Sequence, residues 1–154
     1  MQSLRIAAIA VLAAAGVAAA AAASAQVTVT DPWVRGTVTG QKATGAFMQL
    51  IATESATLVS VESPVAGTVQ IHEMKMENDV MKMRAIPRLD LPAGKAVELK
   101  PGGYHMMLMD LKQPLKKGEA VPISLRFEAK DKTFKTIEIK AQVRELGAGA
   151  EHRH

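Results

Sequence analysis

At 154 residues, with 48% hydrophobic and 22% charged side chains and a formal net charge of +4, the chain has room for one core and carries no strong electrostatic signature. Its basic residues are scattered, with Lys116-Lys117 the longest run, and only 3% of residues are aromatic, so the clustered basic face or stacking platform of a nucleic-acid binder is missing. Cysteine is absent, which excludes disulfides, thiolate zinc, a blue-copper centre and a cysteine-linked lipid anchor within these residues, and leaves a metal only His, Met, carboxylate or backbone donors.

The first 25 residues place Arg5 before an apolar run from Ile6 to Ala23, then Ala23-Ser24-Ala25 ahead of Gln26. A basic start, an apolar stretch and a small-residue site are the marks of a secretory signal peptide, so residues 1–25 are expected to be removed on export; the competing reading is a membrane anchor. Residues 26–146 then form the folded domain, and 147–154, which carry His152 and His154, a flexible tail.

Val27-Thr28-Val29-Thr30 alternates apolar and polar and predicts a strand that Asp31-Pro32 interrupts before Trp33-Val34-Arg35. Residues 36–45 are polar and turn-rich and predict a surface loop, and Ala46 to Ala52 is apolar enough for a central strand. Further short strands are expected at Leu58–Val61, Thr68–Met76, Val80–Ala85, Leu89–Leu91, Val97–Leu99, Tyr104–Met109, Val121–Phe127 and Phe134–Ala141. Pro122 within such a pattern suggests an edge or the first residue of a strand. Short pieces separated by Gly, Pro and Asp or Asn turns, with no 3.6-residue period, predict an all-β sandwich or barrel.

The stretch from His72 to Met109 holds both histidines of the body and seven of the nine methionines. Its spacing is His72, ten residues, Met83, twenty-one residues, His105, one residue, Met107. Imidazole with thioether is a soft ligand set that favours Cu(I). Side chains two apart on a strand share a face, so His72 with Met74, and His105 with Met107, point the same way, while Met106 turns to the opposite face as core filling. A two-residue turn at Asn78-Asp79, expected because Asn and Asp both tolerate positive φ, opposes Met74 to Met83 and Met76 to Met81 and puts all four on the face of His72; a three-residue loop would turn Met83 away. Pro101-Gly102-Gly103 makes a tight turn that aims His105. Methionine also fills irregular β-sandwich gaps, and residue types alone do not separate that role from copper ligation.

The pattern His72, Met83, His105, Met107 resembles the copper-binding motif of the periplasmic copper chaperone PCu(A)C family. The context resembles it too, in Ser63-Pro64-Val65-Ala66-Gly67, Val69-Gln70-Ile71-His72-Glu73-Met74, Leu99 to Leu108, and Leu111-Lys112-Gln113-Pro114-Leu115 with Gly118. The likeness runs from about Trp33 to Val143. It implies a cupredoxin-like Greek-key β-sandwich in the periplasm that binds one Cu(I) per chain through His72, Met83, His105 and Met107. It further implies delivery to the CuA site of cytochrome c oxidase subunit II, with a thioredoxin-like copper assembly factor as a second possible partner. Met74, which shares the face of His72, is expected to serve as a spare thioether during the handover. Some members carry a longer His- and Met-rich tail for Cu(II); here only His152 and His154 remain of it.

An enzyme is disfavoured, because both body histidines are committed and no nucleophile–base pair stands out. Copper storage or tolerance, and a metal-free interaction module, are the alternatives, and the oligomeric state is not readable.

Overall fold

Among the described residues the apolar segments become ten strands: β1 (Val27–Arg35), β2 (Ala43–Ala52), β3 (Ala56–Glu62), β4 (Ala66–Glu77), β5 (Val80–Ile86), β6 (Leu89–Leu91), β7 (Ala96–Leu99), β8 (His105–Leu111), β9 (Ala120–Ala129) and β10 (Phe134–Arg144). The computed structural model describes residues 26–145. The expected signal segment, residues 1–25, and the tail with His152 and His154 lie outside the described residues.

Hydrogen bonding joins the strands in the order β5-β4-β8-β2-β1-β10-β9-β3-β6, with β7 attached to β2. β1 is the corner. It runs antiparallel to β2 on one side and parallel to β10 on the other, and so divides the sheet into two halves. The halves face each other across one hydrophobic cluster, to which β2 and β8 give Leu50, Met106 and Leu108, and β3 and β9 give Leu58, Ile123, Leu125 and Phe127. The chain crosses between halves from β2 to β3, from β3 to β4, from β5 to β6, from β6 to β7 and from β8 to β9, so of consecutive strands only β1-β2, β4-β5 and β9-β10 are sheet neighbours. This is the cupredoxin-like Greek-key sandwich that the resemblance implies. Burial of each large side chain stabilises it by about 1.5–3 kcal/mol.

Three local expectations change. β2 begins at Ala43, inside the expected 36–45 loop: Thr44 is buried because its hydroxyl donates to Arg35 O at 2.7 Å, and Gly45 pairs with Met107. Asp31-Pro32 bends β1 without ending it; Asp31 takes a φ of 49° and the register with β2 shifts between Thr30 and Trp33, as in a bulge. β9 is an internal strand, yet Pro122 is tolerated because the stretch paired to β3 starts only at Ser124.

One feature of the register positions the site. β4 pairs with β8 from Ala66 to His72 and no further, whereas its pairing with β5 runs from Ile71 to Glu77. Beyond His72, therefore, β4 and β5 continue as a two-stranded arm past the end of β8.

Candidate metal centre

The arm closes at Asn78-Asp79, both at positive φ (49° and 63°), as a two-residue hairpin turn requires. Glu77 accordingly opposes Val80, Met76 opposes Met81 and Met74 opposes Met83, the register expected from the sequence. The two faces of the arm differ sharply. Met74, Met76, Met81 and Met83 line one, in continuation of His72; Glu73, Lys75, Glu77, Lys82 and Arg84 line the other, where Arg84 pairs with Glu73 and Lys82 with Glu77.

The last cross-strand pair of β4 with β8 is His72 opposite His105. Both imidazoles are 8% exposed, and their ring centroids lie 5.6 Å apart in an edge-on arrangement. Met83 reaches back from β5 and sets its sulfur 3.1 Å from His105 Nε2. Met107 stands two residues along β8 on the same face, half-buried between Gln70 and Gly45. Thus His105 meets both the His72 ring and the Met83 sulfur, and Met107 lies one pleat away. Met106 faces inward and is fully buried in the core, as expected.

Hydrogen bonding assigns the lone pairs. His105 Nδ1 lies 3.0 Å from Gly103 O, and a carbonyl only accepts, so Nδ1 carries the proton and Nε2 keeps its lone pair. Gly103 belongs to the Pro101-Gly102-Gly103 turn, where Gly102 takes a φ of 86°. The contact of Nε2 with Met83 Sδ therefore sets two electron-pair donors against each other, which a cation between them would reconcile. A backbone carbonyl that fixes the tautomer of a ligating His is the usual outer-shell arrangement. His72 Nε2 donates to Gln70 Oε1 at 3.0 Å, which leaves Nδ1 as the unprotonated nitrogen; it is buried and has no hydrogen-bond partner. Leaving such a group unsatisfied costs about 1–3 kcal/mol. Burial, and then the neighbouring His105, lower the pKa of His72 below its ordinary value, so the neutral, metal-competent form is favoured. Among the described residues no group of three or more His, Cys, Asp and Glu converges, so the donor set is soft wherever it is dense.

The floor of the site is aromatic. Phe47 packs 6.4 Å from His105 and 4.6 Å from Trp33, centroid to centroid, and neither Phe47 nor Trp33 belongs to the main core cluster. Gly45 makes room for this, since a Cβ there would stand 2.8 Å from Phe47 Cζ. Gln70, Gly45, Phe47 and Trp33 were not singled out from the sequence. Gln70 could have been, because it precedes His72 by two residues and shares its face; the others arrive through pairing between distant strands.

A family model described as "LpqE-like: Putative lipoprotein LpqE-like" matches residues 27–143. The chain belongs to the LpqE-like family. This is the PCuAC kinship that the His and Met spacing resembles. "Putative lipoprotein Lxx21020" of Leifsonia xyli subsp. xyli (strain CTCB07) is 34% identical over 102 residues, 66% of this chain; the match spans 61% of that relative's length, under two thirds. The solution structure of CuI-DR1885 from Deinococcus radiodurans is 31% identical, with a TM-score of 0.55, over 77% of this chain and 76% of that one. The copper-bound PCuAC domain from PmoF2 superposes with a TM-score of 0.63 at 23% identity, over 78% of this chain and 93% of the domain, a likeness of fold.

Proposed function

We propose that this LpqE-like protein is an exported Cu(I) carrier that holds one ion between His72, Met83, His105 and Met107 and surrenders it by ligand exchange. The observation that carries the reading is the donor pair His105 Nε2 and Met83 Sδ, 3.1 Å apart, with the other imidazole nitrogen tied to Gly103 O. The kinship with PCuAC proteins and the Cu(I) form of DR1885 support it.

The site has a fixed half and an accessible half. His72 and His105 are buried in the paired sheet, whereas Met83 is 50% exposed on the arm. Four neutral ligands leave the charge of Cu(I) uncompensated, so a thiolate acceptor approaching from the side of Met83 gains Coulombic attraction as well as a softer bond. That favours transfer over storage. It also fits delivery to the thiolate-rich CuA site of cytochrome c oxidase subunit II, with or without a thioredoxin-like assembly factor, as the family resemblance implies. A carrier needs no catalytic group, and this reading commits both histidines of the domain to the soft site. Export to the periplasm is part of the same proposal, and the lipoprotein description of the family and of its Leifsonia relative is in keeping with an envelope protein.

The test is anaerobic Cu(I) competition against a chromophoric chelator. One tight equivalent is expected, weakened at least about 100-fold in His105→Ala/Met107→Leu, which corresponds to about 2.7 kcal/mol. Binding that the double substitution leaves unchanged would return these methionines to a structural role.

A further inference from the structure

The proposed carrier site uses one of the four methionines on the arm; it leaves Met76 and Met81 without a role and Met74 only that of a spare thioether. Core filling does not account for them. The arm lies beyond the end of β8, and Met76 and Met81 are 58% and 47% exposed, although burying a methionine side chain is worth about 1.5–3 kcal/mol. Nor does the arm need them to hold together, since its other face carries the pairs Arg84 with Glu73 and Lys82 with Glu77, and its turn is set by Asn78-Asp79.

Their placement is regular. Counting back from a two-residue turn, Glu77 with Val80 is a hydrogen-bonded pair, so Met76 with Met81 is a non-hydrogen-bonded one, the kind that brings side chains closest. Directly opposed Cβ atoms lie about 4.5–5.5 Å apart, and the diagonal from Met74 to Met81 is about 7–8 Å, within reach of long, flexible thioethers. Met83 is held against His105, so three free thioethers remain, clustered on the exposed side of the carrier site. Three neutral sulfurs with no hard donor on their face suit a soft monovalent cation and little else.

We propose that Met74, Met76 and Met81 form a second, weaker site for Cu(I) or its soft analogue Ag(I), an outer station on the arm from which the ion passes along the methionine face to Met83. Its role as a station rests on the carrier reading; its existence as a site does not. No redox step is involved: one thioether leaves the ion as the next binds, and the charge is unchanged.

The test is an Ag(I) titration of protein labelled with 13C at the methionine methyls, followed by NMR. The first equivalent is expected to move the methyls of Met83 and Met107. Further Ag(I) should move Met74, Met76 and Met81 together, while Met48 and Met106, buried in the core, serve as fixed references. In Met76→Leu/Met81→Leu the first equivalent should bind as before, the later shifts should vanish, and loading from a Cu(I) chelate, followed by stopped flow, should slow several-fold. Methyls of Met74, Met76 and Met81 that stay unmoved through several equivalents overturn the site. Unchanged loading in the Leu variant overturns the station. The His105→Ala/Met107→Leu protein separates the two proposals: arm shifts that persist there show a site independent of the carrier centre, and wild-type shifts confined to the arm would retain the outer site and remove the carrier reading.

Discussion

β9 and the β4–β5 arm are written in the same alternating code and do opposite work. Val121, Ile123, Leu125 and Phe127 alternate with outward-facing residues and are buried to within a few per cent of complete, because β2 and β8 supply a facing layer. Met74, Met76, Met81 and Met83 alternate with charged residues just as regularly, yet among the described residues no third strand pairs with β4 or faces the arm beyond the end of β8, where Met76 and Met81 stay exposed. Alternation says that a strand has two different faces. Whether the apolar face is core or an instrument depends on what lies opposite it.

The comparison breaks most visibly at Leu125, which is fully buried. Leu125→Ala should lower unfolding free energy by about 2–5 kcal/mol in denaturant titration, whereas the Met76→Leu/Met81→Leu variant should stay within about 0.5 kcal/mol of wild type. A loss in the arm variant comparable to that of Leu125→Ala would mean that the arm is packed after all.

Gly45 sharpens the contrast from the side of the site. Gly45→Val places a Cβ against the Phe47 ring, whose other neighbours are Trp33, His105 and the Arg35 guanidinium, so the ring is pushed among them. Overpacking of this kind costs about 1–3 kcal/mol. The variant should also weaken Cu(I) binding, measured by chelator competition, because the floor under His105 moves. Stability lost with affinity intact would show that Phe47 does not position the imidazole.

The smallest effect is that of pH, and its sign is set by His72. Because burial and His105 lower its pKa in the folded protein, the unfolded chain binds more protons as pH falls through the ordinary imidazole range near 6.5. Stability from this group is therefore complete above that range and declines below it, toward the lowered folded value. In the proposed site protons and Cu(I) would compete for the same lone pairs, so affinity should fall as pH is lowered from about 8 to about 5. Thermal melting and Cu(I) competition across that span measure the two effects, and an affinity independent of pH would argue against imidazole ligation.

Much of the site is local and was legible in the residues. The period of two sets Met107 on the face of His105 and Met106 on the other, and Asn78-Asp79, which both tolerate positive φ, closes a two-residue turn that settles the Met74–Met83 register. The start of β2 was harder to read, because Thr44 and Gly45 look like loop residues until Arg35 O and the Phe47 ring are brought to them.

What the chain by itself determined is therefore the alternation, the hairpin and the pairing of each imidazole with a thioether on one face, all consequences of backbone geometry within a few residues. Only the tertiary structure decided that His72 stands opposite His105, that Gly103 O and Gln70 choose which imidazole nitrogens keep their lone pairs, and that Phe47 and Trp33 lie beneath them. It also began β8 only at His105, so that among the described residues the arm runs on without a third strand. These depend on how far β8 extends beside β4 and on which strands the core draws together, and that register is set by packing between residues far apart in the chain.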